Sequence, residues 1–451
     1  MNPLRNGKKP LYSGEMRSFK NLLSGSLISL VLKVAGLLIG TLFALIVSRT
    51  LGAAAWGEFS LSLSIITVGA IISAAGFETL LLKEASSADP NYPLGHLYKI
   101  SLQISMAISI AIAALIYAYS ASIASVLFGS PQLSVSFKIA SISIPAYTLI
   151  NMNAGVLQGL KQLKKYVSIR YVLHHAGGLL LFLIILLFYT DSHIVILAYT
   201  ISMYFIAATS YFWVRKEWKY LSLNISELPS NINTSGLLLT ASPFMIAALL
   251  FFVKGWIDTI LIGVFMNETD VGVYNIAVKL TALLGVTLSA VSAVSTPMYS
   301  EAYSSGDKQR LKSHVHQSSA IVFYTSFPLF LVLILFPEQI LSLFGEEFRT
   351  GKTALIILAF GGVINAYFGV AGYFMKMTGC QVVLQRITFV TVIIGLLLNI
   401  YLIPIYGIEG AAGATALAIF IWNFWCVFYI KKRYNLSVYY VPGFLRSHNV
   451  E

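Results

Sequence analysis

The sequence predicts an all-α polytopic membrane protein with about twelve transmembrane helices, arranged as two six-helix lobes that a pseudo-two-fold axis along the membrane normal relates. Three observations predict this fold. The composition is too apolar for a water-soluble chain, twelve apolar segments are long enough to cross a bilayer, and short motifs recur at one offset between the halves of the chain. Helices are favoured over a β-barrel because the apolar residues do not alternate with a period of two.

The composition requires a lipid environment. Of the 451 residues, 57% are hydrophobic and 11% are charged, whereas a soluble domain carries about 25% charged residues. The net charge of +12 would suggest nucleic acid in a soluble protein, but membrane proteins retain basic residues in cytoplasmic loops, so we expect no nucleic-acid partner. Cys380 and Cys426 lack the spacing of a disulfide framework or a metal site, and we expect no cofactor.

Twelve segments have the length of a membrane span, since an α-helix of about 20 apolar residues crosses a hydrocarbon core of about 30 Å. In chain order they are residues 24–48, 59–82, 99–120, 134–158, 171–189, 194–214, 236–265, 271–297, 317–342, 353–376, 383–405 and 410–430. Basic residues precede the first segment and no small-residue cleavage site follows it. We therefore interpret it as a membrane helix and not as a signal peptide.

The basic residues predict the orientation. With the N-terminus in the cytoplasm, 23 of the 30 Lys and Arg residues fall in cytoplasmic segments, three fall outside and four lie within spans. This excess is typical of cytoplasmic loops, so we expect both termini in the cytoplasm and the chain in a bacterial inner membrane. The polar stretch 215–235 is the predicted linker between an N-terminal lobe, residues 1–222, and a C-terminal lobe, residues 223–451.

The two halves carry similar motifs at an offset of about 215 residues. The matching pairs are 52–59 and 267–274, 84–85 and 301–302, and 126–129 and 342–345. Each half contains an even number of spans, so the two repeats share one orientation. Parallel repeats of this kind are related by an axis along the membrane normal, with the substrate site between them.

Charged residues within spans are the main candidates for function. Each costs roughly 2.5–3.5 kcal/mol at the centre of a membrane helix, so it normally faces protein or a water-filled cavity. Lys33 lies in the first span, Lys254 and Asp258 lie one turn apart in the seventh, and Lys279 lies in the eighth. Two interpretations stay open. In the first, Asp258 forms a buried ion pair with Lys279 or Lys254. In the second, the three lysines line a cationic cavity that binds an anionic substrate, and Asp258 couples an ion.

Two further features have a functional and a structural interpretation. Pro243 lies within the seventh span, where proline removes a backbone hydrogen bond and kinks the helix; it is either a hinge or a fixed bend. His174 and His175 begin the fifth span, and we expect a solvated helix end there and not a metal site.

Short motifs connect the chain with a known family. Nucleotide-binding and hydrolase motifs are missing from the sequence, so we do not expect an enzyme. Ser48–Gly52 running into Gly57–Ser60, Leu157–Gly159, and Tyr406–Ala414 resemble the polysaccharide transporter family of the multidrug/oligosaccharidyl-lipid/polysaccharide exporter superfamily, and within it the Wzx-type flippases of O-antigen and capsule units. The resemblance extends from about residue 19 to residue 433.

The resemblance implies export of polyprenyl-diphosphate-linked oligosaccharide by alternating access, driven by an H⁺ or Na⁺ gradient, for lipopolysaccharide O-antigen, capsule or exopolysaccharide. Membrane lipid and other polysaccharide-assembly proteins are the implied partners. A multidrug antiporter is the alternative, because such exporters keep a carboxylate in the first or seventh helix; Lys33 argues against it and Asp258 keeps it open. A lipid II flippase would have two further C-terminal helices, and a membrane polymerase or ligase would need a large outer loop.

Overall fold

The computed structural model describes residues 12–87, 94–217, 234–368 and 370–439, and these ranges contain helices and no β-strand. The helices are α1 (Tyr12–Ala74), α2 (Phe77–Ser87), α3 (Leu94–Ser122), α4 (Leu133–Gly159), α5 (Leu163–Val167), α6 (His174–Leu186), α7 (Ile194–Lys216), α8 (Thr234–Phe265), α9 (Glu268–Ala282), α10 (Leu284–Ser304), α11 (Lys308–Leu335), α12 (Pro337–Ser342), α13 (Lys352–Phe368), α14 (Ala371–Met377) and α15 (Gln381–Tyr434). Wider π-helical turns follow α3 (Ile123–Leu127) and α5 (Ser168–Leu173), and a 3₁₀ turn (Glu346–Gly351) precedes α13.

Two of the helices each contain two membrane spans. The described part of the chain has ten helical stretches that are long and apolar enough to cross a membrane. α1 is interrupted at Gly52 (φ 85°) and α15 at Gly407 (φ 60°), in the positive-φ region that glycine adopts without steric cost. Dividing both helices at these glycines gives twelve spans, which confirms the predicted fold class.

Small residues hold the helices of each lobe together. In the first lobe α4 packs against α3 and α7, and in the second lobe α13 packs against α11 and α15. On α3, Ser101, Ser105 and Ser109 repeat every four residues and are fully buried, while Ile110 and Leu115 are exposed on the opposite side. Lipid gives no hydrophobic drive for helices to associate, so close approach at small residues has to supply the van der Waals contact.

The pseudo-two-fold axis passes between Gly57 on α1 and Gly272 on α9. A Cβ atom added to Gly57 would lie 1.7 Å from the carbonyl oxygen of Glu268 and 2.9 Å from the nitrogen of Gly272. A Cβ added to Gly272 would lie 2.0 Å from the carbonyl oxygen of Ala53 and 3.1 Å from the nitrogen of Gly57. Adding 215 to the residue numbers of the first lobe, and subtracting 215 from those of the second, converts one set of contacts into the other. The contact is therefore isologous, and it realises the offset seen in the sequence. We call this end of the molecule the closed end.

Two further polar contacts join the lobes at the closed end. The Ala53 backbone amide donates to Oε1 of Glu347 over 2.5 Å. On the other side of the axis, the Ser130 hydroxyl and the Gln132 amide, the latter at 3.3 Å, donate to Oε1 of Glu268. At the same offset, Ala53 corresponds to Glu268 and Gln132 to Glu347. The two contacts thus occupy equivalent places and close the lobes on both sides of the axis.

The predicted division between the lobes lies outside the described residues. In the described chain the first lobe ends with α7 at Lys216 and the second begins with α8 at Thr234. Most of the predicted linker, residues 215–235, falls between them, and the boundary between residues 222 and 223 remains a prediction.

Candidate functional site

A cavity of about 290 Å³ lies between the lobes, and we call it the interlobe cavity. Most of its lining comes from the first lobe, and Trp256 on α8 contributes from the second. The lining residues are Leu63, Thr67, Tyr147, Arg170, His174, His175, Tyr199 and Trp256. Aromatic rings, hydroxyl groups and one permanent cation therefore face the same space.

Arg170 is the cation of this cavity. It lies in the π-helical turn Ser168–Leu173, a local widening that is frequent at functional sites. Its guanidinium donates to the side-chain oxygen of Asn151 and lies 3.9 Å from the carboxylate of Glu78. A guanidinium has five N–H donors, so these partners leave donors for a ligand. Sequence reasoning missed Arg170 because it counted this residue in a cytoplasmic loop, just before the predicted start of the fifth span.

His174 and His175 are not a solvated helix end, contrary to the expectation from the sequence. The fifth span is continuous from Leu163, eight residues before its predicted start at residue 171, so both rings lie inside the lobe. His174 is buried, with Nδ1 2.5 Å from the carbonyl oxygen of Ile169. His175 packs on α1, where a Cβ added to Gly40 would lie 3.0 Å from its ring.

The three predicted lysines lie against aromatic rings. The Nζ atom is 5.4 Å from the ring centre of Tyr171 for Lys33, 4.9 Å from that of Trp422 for Lys254, and 5.6 Å from that of Trp56 for Lys279. Such cation–π contacts contribute about 0.5–2 kcal/mol each. In the described part of the chain, none of the three ammonium groups forms an ion pair with a carboxylate.

The three lysines differ in the part of the molecule that they contact. Tyr171, the partner of Lys33, directly follows Arg170. Lys279 on α9 reaches Trp56 on α1, so its contact crosses between the lobes, and its ammonium is within electrostatic range of His175. Lys254, by contrast, stacks within the second lobe, between α8 and α15. None of the three is among the lining residues of the interlobe cavity; Lys33 contacts the residue after Arg170, Lys279 connects the lobes and Lys254 packs within the second lobe.

Asp258 is buried and accepts hydrogen bonds from three donors. The Tyr274 hydroxyl donates to Oδ2 at 2.6 Å, the Thr415 hydroxyl donates to Oδ2 at 3.4 Å, and the Thr259 amide donates to Oδ1 at 2.8 Å. Among the described residues no ion pair joins Asp258 to either nearby lysine. In this conformation the carboxylate connects α8, α9 and α15 through neutral donors.

Pro243 lies within α8, which continues through it, and its ring is exposed. Just before it, α8 packs on the first lobe: a Cβ added to Gly76 would lie 2.1 Å from the carbonyl oxygen of Ala241. The proline thus follows a fixed point of contact between the lobes. Its role as a hinge remains a prediction.

Comparisons with protein families match most of the chain. A family described as "Polysaccharide biosynthesis protein" matches residues 22–303, more than half of the chain, and the MatE family matches residues 243–401. Over 164 residues the chain is 30% identical to the probable low-salt glycan biosynthesis flippase Agl15 of Haloferax volcanii. That alignment covers 36% of this chain and 35% of the relative, so the chain aligns with about a third of that relative's length.

Solved structures share the fold. The lipid II flippase MurJ in an inward closed conformation matches with a TM-score of 0.72 and 14% identity, over 91% of this chain and 87% of that one. An inward-facing multidrug transporter of the MATE family matches with a TM-score of 0.67 and 15% identity, over 91% of this chain and 98% of that one. At these identities the likeness establishes the two-lobe architecture alone.

Proposed function

Because the chain belongs to the polysaccharide biosynthesis protein family, we propose that it is a flippase that moves polyprenyl-diphosphate-linked oligosaccharide across the bacterial inner membrane by alternating access. The observation that carries the proposal is the interlobe cavity, in which Arg170 faces Tyr147, Tyr199 and Trp256. A guanidinium offers a planar fork of donors that fits phosphate oxygens. Aromatic side chains present apolar faces with polar tips, which suit sugar rings.

The predicted lysines extend this proposal. Lys33 and Lys279 are substrate-binding lysines suggested by the sequence whose ring contacts lie beside Arg170 and between the lobes, and a lysine attracts phosphate as a point charge. Lys254 belongs to the proposed set only if the substrate reaches the second lobe. Since the lining carries Arg170, and Glu78 is the one acid paired with it among the described residues, an anionic head group fits better than a cationic drug.

The orientation and the driving force are part of the proposal. In the predicted topology three of the Lys and Arg residues flank the closed end and 23 lie toward the opposite end, or 22 without Arg170, which lines the cavity. By the positive-inside rule the closed end faces outwards and both termini face the cytoplasm. An H⁺ or Na⁺ gradient drives the cycle, with Asp258 as the ion-coupling residue suggested by the sequence. The chain acts as a transporter and not as an enzyme, alongside the proteins that assemble the polysaccharide.

A multidrug antiporter is the second candidate. It is favoured by the MatE match over residues 243–401 and by the buried Asp258, since a membrane carboxylate can bind a cation. The two candidates differ in what a loss of positive charge in the cavity does. A flippase of an anionic lipid should lose activity, whereas an exporter of cations should not.

Deletion and complementation test the proposal. Loss of the protein should leave lipid-linked repeat units on the cytoplasmic leaflet and remove surface polysaccharide. Arg170→Lys should complement poorly because lysine keeps the charge and lacks the fork, while Arg310→Ala, an exposed cation 3.1 Å from Glu301, should complement fully. Membrane abundance is measured for each variant. Normal surface polysaccharide in the deletion strain, with no second exporter present, would refute the flippase.

A further inference from the structure

We propose that the first lobe contains a proton-binding site at the closed end, formed by Glu58, His193 and Ser136, with Asp191 as its connection to solvent. The site takes up a proton that controls opening of the closed end during the transport cycle. The role of this proton in transport rests on the proposed function, whereas the chemistry of the site and its test depend on the side chains alone.

Three elements bring the site together. Glu58 lies on α1 directly after Gly57, and its side chain is 9% exposed. Its Oε1 atom accepts a hydrogen bond from the Ser136 hydroxyl on α4 and lies 2.7 Å from Nδ1 of His193, the residue before α7. The Ser136 oxygen is also 2.9 Å from Nδ1. A buried carboxylate, an imidazole and a hydroxyl thus meet within hydrogen-bonding distance.

The hydrogen bonds fix which nitrogen carries a proton. The Ser136 hydroxyl has one hydrogen, and it is used toward Glu58. Both neighbours of Nδ1 of His193 can then only accept, so Nδ1 carries a proton and donates. The other ring nitrogen, Nε2, is free to gain or lose one. It lies 4.0 Å from Oδ1 of Asp191, and a hydrogen bond from the His193 amide to the same oxygen, 3.0 Å long, holds Asp191 in place.

Exposure falls steadily from solvent to the buried carboxylate: 63% for Asp191, 27% for His193 and 9% for Glu58. A proton that arrives at Asp191 can pass to Nε2, and the imidazolium so formed can release its Nδ1 proton to Glu58. The products are a neutral carboxyl group and an imidazole with its proton on Nε2. The net change is the uptake of one proton, and the histidine is neutral before and after the transfer. Histidine is suited to this role as a proton shuttle.

The same groups exclude Na⁺ as the ion at this place. Hard cations take several oxygen ligands in proteins, whereas an imidazole N–H occupies one side of this carboxylate. Asp258 is the competing candidate. Its hydrogen-bond partners are Tyr274, Thr415 and the Thr259 amide, and among the described residues no histidine or second carboxylate links it to the surface.

Protonation at Glu58 would act on the closed end. The charged carboxylate holds α1 against α4 and α7 through charge-assisted contacts, which are about twice as strong as neutral ones. A neutral carboxyl group weakens that hold next to Gly57, where α1 meets Gly272. Proton uptake from the closed-end side therefore favours separation of the lobes there.

The other charged groups nearby have partners elsewhere. On α4, the Lys138 ammonium lies 5.9 Å from the ring centre of Tyr117 on α3. On α9, the Glu268 carboxylate accepts from Ser130 and Gln132. Within the described residues, His193 is thus the titratable group in contact with Glu58, and Asp191 contacts the other nitrogen of the same ring.

Pulsed electron paramagnetic resonance in lipid nanodiscs tests the site without any glycan. Cys380 and Cys426, both buried, are replaced by serine, and spin labels are attached to cysteines at Val126 and Leu343, which are 80% and 55% exposed beside the closed-end contacts. Acidification should shift the distance distribution toward longer values. Glu58→Gln should abolish the pH response and keep the long distances at every pH.

Control variants separate a proton site from a structural one. Glu346→Gln, an exposed acid at the same end paired with Arg349, should keep the response. Ser136→Ala retains every titratable group and removes one donor from the carboxylate, so a pH response should persist in this variant. A wild-type response in Glu58→Gln, or loss of the response in Glu346→Gln with Glu58 intact, would overturn the proposal. Because no substrate is present, this result stands or falls separately from glycan export.

Discussion

Gly57→Ala should prevent the closed end from closing. The added Cβ would lie 1.7 Å from the carbonyl oxygen of Glu268, half of the 3.4 Å at which ordinary van der Waals contact begins. The obstructing atoms belong to the backbone, so no side-chain rotation relieves the clash. Forcing extra volume into a packed contact costs about 1–3 kcal/mol. Only the closed arrangement contains this contact, so the cost shifts the equilibrium between conformations, by roughly 5- to 150-fold.

The spin-label pair at Val126 and Leu343 measures this shift. Gly57→Ala should increase the fraction of long distances at neutral pH, and export should fall while membrane abundance stays normal. Symmetry predicts the same result for Gly272→Ala. Gly285→Ala is the matched control, because nothing lies within 4 Å of its added Cβ. Wild-type distances and wild-type export in Gly57→Ala would show that the two helices do not meet as described.

Three further predictions follow from the charged residues and the topology. Lys33→Arg should retain part of the export and Lys33→Ala should lose most of it at unchanged abundance; full export by the alanine variant would remove this lysine from the site. If Lys279 binds substrate and is not held by Asp258, the double variant Lys279→Ala with Asp258→Ala should export no better than Lys279→Ala alone. Recovery of both membrane abundance and export in the double variant would instead support the ion pair. A cysteine at Ala54 should react with a membrane-impermeant reagent in intact cells and one at Lys164 should not; labelling at the latter would reverse the topology.

The fold was predictable because short stretches of sequence determine the length of each span and carry the repeat. Bilayer thickness sets the length of each apolar segment, and the repeated motifs carry the symmetry. The sequence could not show that Gly52 and Gly407 join pairs of spans into single interrupted helices, because a glycine between two spans is compatible with a loop as well as with a kink. The count of twelve did not depend on that distinction.

The site was less predictable because it depends on helix rotation and on exact span ends. The predicted ion pair with Lys279 placed Asp258 close to α9, as found, but its partner there is Tyr274, five residues before Lys279. Arg170 was missed through a shift of eight residues at the start of one span. The pair Glu58 and His193 is separated by 135 positions, and the only available signal was that both polar residues stand at the same end of their spans.

The two carboxylates of the closed end give the molecule a polarity that its symmetry would not require. Glu268 and Glu347 both belong to the second lobe, and Ala53, Ser130 and Gln132, which donate to them, all belong to the first. Separation of the lobes would therefore leave two bare negative charges on one wall of the exit and bare donors on the other. An anion that crosses this opening, in either direction, would meet repulsion from the wall of the second lobe and hydrogen-bond donors on the wall of the first. The separated lobes would therefore guide an anion along the first lobe.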